Sequence, residues 1–241
     1  MIVWDVKTGE AVGKFLQKAG TLFDSFLCVH ALNSSPVQEE QWPCIRWTDD
    51  EAIAARRVTN EIHFWLGGVL DGNPVKKFRV ENVVDFSLAP GKGTYHFAAF
   101  VGERKGSPAE VKLFKYPNNN PLCSKSFYAD AVEFLWSPNG KHLIANVSTH
   151  VDRTGRSYYG QSGLYYLSEK MDCMVDTATK KEGPVHSCCW KPDGLSFVAV
   201  YGFMPPRTTS FNLKCDPSIE YGTAHRNRVR FSPGERHRAC Y

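Results

Sequence analysis

A short strand–turn–strand phrase occurs five times along the chain, and this repetition constrains the fold more than any other feature. Its clearest copy reads VEFLWSPNGKHLIANVS, and alignment of the copies on their turn gives the anchors Trp47, Leu88, Trp136, Trp190 and Phe231. The anchors lie 41, 48, 54 and 41 residues apart. Apolar residues alternate along a first strand, turn-forming residues follow, and a second apolar run pairs back. The phrase therefore predicts a β-hairpin in every repeat.

In four of the five repeats a further apolar run follows the hairpin and leads through another turn to a fourth strand; these runs are EIHFW, VKLFKY, GLYYL and TSFNL. Four strands at a period of about 40 to 45 residues are typical of β-propeller blades. We therefore predict an all-β, WD-repeat-like β-propeller, as an open arc of about four complete four-stranded blades plus two partial blades.

All of residues 1–241 are assigned to a single propeller domain. Its predicted parts, in chain order, are the end of a blade and a connection at 1–42, blades at 43–82, 83–130, 131–184 and 185–226, and the start of a further blade, with an atypical tail, at 227–241. Because a propeller covers its strand edges by closing on itself, an open arc would leave two edges exposed. The pattern therefore predicts a piece of a larger protein or a truncated gene product.

The tryptophans that end the first strands of their blades, Trp47, Trp136 and Trp190, are expected to wedge between neighbouring sheets. The histidines in or beside strand runs, His63, His96 and His186, are expected to be structural. These residues therefore support the fold prediction and indicate no chemistry.

Composition and cysteine usage exclude several classes of protein. Apolar residues make up 42% and charged residues 22% of the chain, as in ordinary globular proteins. The sequence contains no apolar run long enough for a membrane-spanning helix, and the polar MIVWDVKTGE start argues against a signal peptide. The eight cysteines form no Cys-x-x-Cys pair, which argues against a zinc ribbon or zinc finger. A disulfide framework is not expected either, because such frameworks usually serve small secreted domains with little core. We expect a cytoplasmic protein without membrane contact.

Motifs that would indicate catalysis are incomplete. GERKGS lacks the Gly-Lys-Ser/Thr end of a phosphate loop, and YGQSGL lacks the Gly-x-Ser-x-Gly elbow of a hydrolase. The eight histidines show no metal-ligand spacing. We therefore predict no catalytic residue, no metal and no cofactor, and a protein that is not an enzyme.

Charge is informative by its distribution and not by its total. The net charge is +4, but residues 222–241 alone contain five Arg and one Glu, so the remaining chain is neutral. The second-to-third strand connections are predicted to emerge together on one face, whereas the first-to-second hairpins emerge on the other. The basic residues assigned to these connections are Arg56, Arg57, Arg104, Lys105, Arg153, Arg156 and Arg207, and the exposed rings are Tyr158, Tyr159 and Phe203.

Such a face would suit contact with RNA, since basic loops bind phosphates and aromatic rings stack on unpaired bases. The ten residues are therefore the candidates for contact with RNA or the ribosome. The alternative is that the charges are ordinary solvated loop charges and that the rings pack back on the blades.

Longer stretches of the sequence carry a family resemblance. They are VWDVKTGE, NEIHFW, KSFYADAVEFLW, DRTGRSYYGQSGLYYL and AVYGFMPPRTTSFNLKCDP. Together they resemble the propeller of the eukaryotic translation initiation factor 2A family, and the resemblance runs to about Pro233. The final GERHRACY departs from the family pattern.

The resemblance implies a cytoplasmic translation factor that associates with the small ribosomal subunit and delivers initiator methionyl-tRNA. It also implies contacts with other initiation factors, and it assigns much of the tRNA binding to a C-terminal region that follows the propeller. Two other functions stay open: a WD-repeat scaffold that binds proteins with no direct RNA contact, and a propeller enzyme.

Overall fold

The computed structural model describes residues 2–15, 44–67, 70, 72–104, 106–150, 160–177, 181–232 and 238–240. Within these ranges the chain forms strands and turns and no helix, so the described part is all-β as predicted. It accordingly contains no helix of the length and apolarity that crossing a membrane requires. The chain divides into two units, Met1–Asp85 and Phe86–Tyr241.

The first unit contains a two-stranded sheet and a four-stranded sheet that we call blade 1. The two-stranded sheet is formed by β1 (Ile2–Trp4) and β2 (Ala11–Lys14). Blade 1 is formed, in spatial order, by β3 (Ile45–Trp47), β4 (Ile53–Val58), β5 (Glu61–Leu66) and β6 (Lys76–Arg79). Every pair of neighbours is antiparallel, so each strand turns directly back along the one before it.

Three further blades follow. Blade 2 consists of β7 (Val83–Leu88), β8 (His96–Val101), β9 (Ala109–Lys115) and β10 (Cys123–Phe127), and the boundary between the units falls inside β7. Blade 3 consists of β11 (Ala131–Trp136), β12 (His142–Ser148), β13 (Ser162–Ser168) and β14 (Asp172–Val175). Blade 4 consists of β15 (Val185–Trp190), β16 (Ser196–Tyr201), β17 (Arg207–Asn212) and β18 (Pro217–Thr223). A last pair, β19 (Val229–Phe231) and β20 (Arg238–Cys240), completes the described strands.

This arrangement confirms the predicted fold class: the described residues form four complete four-stranded sheets and two two-stranded ones. The four sheets fall inside the ranges expected from the repeat. That all parts belong to a single domain stays a prediction.

The turn of the repeated phrase is built in the same way in blades 3 and 4. In blade 3, Ser137 N–H donates to His142 O at 2.9 Å, and the side chain of Asn139 accepts from Lys141 N–H at 3.1 Å. In blade 4, Lys191 N–H donates to Ser196 O at 2.9 Å, and Asp193 accepts from Leu195 N–H at 2.8 Å. Asn or Asp suits this position because its short side chain can satisfy a backbone donor two residues later.

The core of blade 1 forms around Trp65. Its buried neighbours are Ile45, Ala54 and Leu70, and Val3, Val12 and Phe15 pack against them. The rings of Trp65 and Phe15 meet edge to face, with centroids 5.5 Å apart. The expectation for Trp47 is wrong, because its side chain is 37% exposed and Trp65 provides the buried indole instead. Trp65 lies on the third strand, outside the repeated phrase, so the phrase did not indicate it.

The core between blades 3 and 4 contains a continuous cluster of large side chains, and the prediction for its tryptophan is confirmed. Trp190 is only 7% exposed, and its indole N–H donates to the backbone O of Leu135 in blade 3 at 2.8 Å. The indole N–H of Trp136 likewise donates to Ser87 Oγ in blade 2 at 3.0 Å. Each indole therefore donates a hydrogen bond to the preceding blade, and the buried ring of Trp190 adds apolar contact that stabilises the pairing of sheets by about 2 to 3 kcal/mol.

Candidate functional site

The antiparallel order of each blade brings two kinds of connection to the same end of the sheet. The connection from the second to the third strand leaves at the end where the first strand begins, so it lies beside the connection that arrives from the previous blade. Hydrogen bonds show this directly: His150 N–H donates to Asp130 Oδ2 at 2.8 Å, and Phe203 N–H donates to Glu182 O at 3.0 Å. These connections are the candidate site.

We call this end of the second unit the connection face. In the described part of the chain it contains residues 102–104, 106–108, 149–150, 160–161 and 202–206 of the second-to-third connections, and residues 128–130, 176–177, 181–184 and 224–228 of the blade-to-blade connections. The opposite end of the same blades carries the first-to-second hairpins 89–95, 137–141 and 191–195, which we call the hairpin end.

Arg56 and Arg57 do not lie in a connection, contrary to the prediction. Both are strand residues of β4, paired with His63 and Ile62, and the connection is the two-residue turn 59–60. Arg57 Nη1 donates to Val83 O at 3.2 Å, and the Arg56 guanidinium lies 5.2 Å from the centre of the Phe15 ring. Both guanidinium groups are therefore half-buried and engaged within the first unit.

Arg104 matches its predicted position. It is exposed beside Glu103 and closes a tight turn in which Ser107 N–H donates to Arg104 O at 2.9 Å. Gly106 in this turn has φ of +86°, a left-handed conformation that glycine adopts without strain. The turn therefore presents the Arg104 side chain to solvent.

Arg207 begins β17 and does not lie in the connection before it. Its guanidinium pairs with the carboxylate of Glu220 on the neighbouring strand β18, and the hydrogen bond to Glu220 raises the pKa of Arg207. The positive charge counted from the sequence is therefore matched by a carboxylate that lies thirteen residues away in the chain. The sequence pattern of the connections could not show this pairing.

Phe203 is exposed as predicted, with 48% of its surface accessible, and the adjacent Met204 is 54% exposed. Their backbone is held from several sides: besides the bond to Glu182, Gly202 N–H donates to Pro184 O at 2.9 Å and Gly202 O lies 2.8 Å from His186 Nε2. Phe203 and Met204 are therefore presented together by a well-bonded loop. Met204 was not among the predicted contact residues, because it is neither aromatic nor basic.

The other five candidates, Lys105, Arg153, Arg156, Tyr158 and Tyr159, lie outside the described residues. Of the histidines expected to be structural, His186 bonds to Gly202 as above, His63 bonds to Glu61 Oε2 at 2.8 Å, and His96 is buried. Burial lowers the pKa of His96 and of His142. In the described part of the chain, no group of three or more His, Cys, Asp or Glu side chains is placed to hold a metal ion.

The blade-to-blade connections change the charge of the connection face. Counting all of its described connection residues, four are basic and four are acidic. The basic residues are Arg104, Lys181, Arg226 and Arg228, and the acidic ones are Glu103, Asp130, Asp176 and Glu182. The predicted excess of positive charge is therefore not carried by the described part of this face.

Comparison with known proteins identifies the family. The model of the family "Eukaryotic translation initiation factor eIF2A" matches residues 125–238. Curated relatives named Eukaryotic translation initiation factor 2A include one from Schizosaccharomyces pombe, 37% identical over 98% of this chain and 38% of its own length. Another, from Drosophila melanogaster, is 39% identical over 78% of this chain and 30% of its own length.

A solved structure described as "Crystal structure of the eukaryotic initiation factor" agrees with these relatives. It superimposes with a TM-score of 0.77 at 33% identity, over 99% of this chain and 52% of that chain. This chain thus spans little more than a third of the length of the curated relatives it matches. On the sequence similarity and the shared blades, the chain belongs to the eukaryotic translation initiation factor 2A family.

Proposed function

We propose that this chain supplies blades of a translation initiation factor that binds the small ribosomal subunit and supports delivery of initiator methionyl-tRNA in the cytoplasm. The observation that carries this proposal is the match of 98% of the chain to a curated initiation factor at 37% identity. Contact with the ribosomal subunit is assigned to the connection face. Contacts with initiator tRNA and other initiation factors are assigned to the part of the protein that corresponds to the remaining length of the relatives.

The chemistry of the connection face supports contact with ribosomal RNA. Arg104 and Arg228 are exposed on it and can reach phosphates, which gives affinity with little sequence preference. The exposed ring of Phe203 can stack on an unpaired base, an interaction that depends on the π-face and tolerates any sequence. Lys105, Arg153, Arg156, Tyr158 and Tyr159 remain proposed contacts on the same grounds of residue type.

The test is cosedimentation of the full-length protein with purified small ribosomal subunits through sucrose gradients at a series of salt concentrations. One variant combines Arg104→Glu, Arg228→Glu and Phe203→Ala on the connection face. A matched control combines Lys92→Glu and Lys141→Glu, two exposed cations of the hairpin end. We expect the wild type and the control to move with the subunit at low salt and to be released together as salt rises, whereas the variant stays at the top of the gradient.

Equal comigration of the variant and the wild type at every salt concentration would contradict the assignment to this face. A further variant with Glu at positions 105, 153 and 156 measures the contribution of the candidates predicted from sequence alone. Salt sensitivity is the informative quantity, because each phosphate contact releases counterions from the RNA. The apparent affinity therefore decreases more steeply with salt when more phosphates are contacted.

A scaffold that binds a protein partner without contacting RNA is the second candidate. It is favoured by the balanced charge of the described connection face and by the exposure of the apolar pair Phe203 and Met204, because aromatic residues and Met are enriched in protein interfaces. For this function, binding would be insensitive to salt and to nuclease treatment of the subunit. It would be lost on Phe203→Ala with Met204→Ala, while Arg104→Glu would leave it unchanged.

A further inference from the structure

Two cysteines of consecutive blades lie in contact, although they are far apart in the sequence. Cys173 belongs to β14, the last strand of blade 3, and Cys215 lies in the turn 213–216 between β17 and β18 of blade 4. Their Sγ atoms are 2.6 Å apart, against about 2.05 Å in a formed disulfide. Both residues belong to the second unit and both are free thiols.

The fold holds each thiol in place. Cys173 is paired across the sheet with Tyr166 of β13, in a regular antiparallel register. Cys215 has φ of +65°, which is uncommon for a residue with a side chain, and its N–H donates to Asn212 O at 3.0 Å. The Asn212 side chain also accepts from Lys214 N–H and Asp216 N–H, so hydrogen bonds inside the turn maintain this conformation and direct the Cys215 side chain towards blade 3.

The surroundings leave the pair partly accessible. Both sulfur-bearing side chains pack on the apolar cluster shared by blades 3 and 4 and are half-buried. The chain neighbours on either side of each cysteine are exposed, namely Asp172 and Met174 on β14 and Lys214 and Asp216 in the turn. Because Cys173 and Cys215 are themselves only partly buried, a small oxidant can approach two thiols that the cluster keeps together.

We propose that Cys173 and Cys215 form a reversible disulfide that links blade 3 to blade 4, with a soluble disulfide such as glutathione disulfide as the oxidant. The thiolate of one cysteine attacks glutathione disulfide, forms a mixed disulfide and releases one glutathione thiolate. The second cysteine attacks the mixed disulfide, forms the Cys173–Cys215 bond and releases the second glutathione. Two protons pass to the two released glutathiones, two cysteines are oxidised, and the disulfide of glutathione is reduced.

This inference is independent of the proposed function, since it concerns the pairing of two blades and no ribosomal contact. Burial and the hydrogen bond with Cys173 raise the pKa of the Cys215 thiol. Because the thiolate is the attacking species, oxidation is slow at neutral pH and accelerates as the pH rises. In a reducing compartment the pair is a dithiol, and the crosslink marks a shift to oxidising conditions.

The test is incubation of the full-length protein with glutathione disulfide, followed by alkylation of the remaining thiols and mass spectrometry of proteolytic peptides. We expect a linked peptide pair that contains Cys173 and Cys215, which disappears after treatment with dithiothreitol. We also expect oxidation to raise the Tm, because a crosslink of this span restricts the unfolded chain. Cys215→Ser and Cys173→Ser should each lose both effects.

Cys123→Ser is the matched control, since Cys123 is another half-buried strand cysteine and burial raises its pKa to about 11. This variant should keep the linked peptide and the rise in Tm. Alkylation of both Cys173 and Cys215 after oxidation, or a linked peptide that joins either of them to a different cysteine, would overturn the proposal. Peptide mapping of the wild type decides the question even where a substitution impairs folding.

Discussion

The two ends of the blades in the second unit follow different rules. At the hairpin end, the turns 137–141 and 191–195 use the same positions for the same purpose: an Asn or Asp side chain caps the turn and a glycine follows it in the left-handed conformation. At the connection face, the connections 102–108, 149–161 and 202–206 differ in length.

Packing between blades explains the repetition at the hairpin end. A side chain on Gly140 would overlap the backbone oxygen of Pro90 in the hairpin of blade 2, and a Cβ on Gly194 would come within 3.0 Å of Asn139 Nδ2 in blade 3. Each turn must therefore fit the turn before it. The connection face is also closely packed, since a Cβ on Gly183 would overlap the backbone N of Phe203 and a Cβ on Gly202 would overlap the side chain of Lys181. It differs from the hairpin end because its loops vary in length and one of them presents the exposed apolar pair Phe203 and Met204.

The largest expected effect separates two tryptophans that the sequence places in equivalent positions. Trp190→Ala removes a ring that is buried between blades and donates a hydrogen bond to Leu135 O, so we expect it to lower the free energy of unfolding by about 3 to 5 kcal/mol. Trp47→Ala removes a side chain that is 37% exposed and should cost about 1 kcal/mol or less. Urea denaturation of both variants measures the difference. If both variants lose the same free energy of unfolding, the position of a tryptophan in the repeated phrase, and not its burial, determines how much it contributes to stability.

A second, smaller effect compares one glycine from each end. Gly140 at the hairpin end and Gly106 at the connection face both have positive φ, but a Cβ would overlap a neighbour only at Gly140. Gly140→Ala should therefore lower the free energy of unfolding by about 2 to 4 kcal/mol, from backbone strain plus overpacking. Gly106→Ala should cost only the strain, about 1 kcal/mol. A cost for Gly106→Ala that equals that of Gly140→Ala would contradict the role of the close approach of Pro90 O to Gly140.

The hairpin end could be predicted from the sequence because its causes are local. The turn residues of Ser137–Gly140 and Lys191–Gly194 act within a few positions of themselves, and the alternation on either side of them shows the two strands directly. The hydrogen bonds that Trp136 and Trp190 donate to the preceding blade, and the burial of Trp190, follow from the place of these residues in the repeat. Trp47 differs from the prediction because its exposure depends on its packing against other strands, and the repeated phrase contains no information about that packing.

The connection face could be predicted only in part, since its properties depend on residues that are distant in the chain. Arg207 is neutralised by Glu220 of the next strand, and the acidic Asp130 and Glu182 reach the face through connections that a count of loop charges omitted. Arg56 and Arg57 lie outside the predicted connection because the strand continues past them to Val58, where it pairs with Glu61. The contact of Cys173 with Cys215 likewise requires two blades to be placed side by side.

The smallest expected effect is a dependence of stability on pH that originates at the hairpin end of the second unit. His96 and His142 each open the second strand of their blade, directly after the hairpin, and burial, with nearby lysines, lowers the pKa of both. Lys115 and Lys141 contribute for His96, where Glu169 opposes the shift, and Lys141 contributes for His142. The unfolded chain then binds protons more readily than the folded one. The contribution of these two histidines to the free energy of unfolding is therefore complete above the unfolded pKa, about 6.5, and decreases as the pH falls below it. We expect the urea midpoint to decrease between pH 7 and pH 5.

The double variant His96→Gln with His142→Gln separates this contribution from that of other groups, because its side chains remain neutral at every pH. It should show a flatter pH profile between pH 7 and pH 5 than the wild type. The matched control His225→Gln alters an exposed residue of the connection face and should keep the wild-type slope. If His225→Gln flattens the profile and the double variant does not, the proton-sensitive part of the molecule lies at the connection face. In that case the burial of His96 and His142 would not be the origin of the pH dependence.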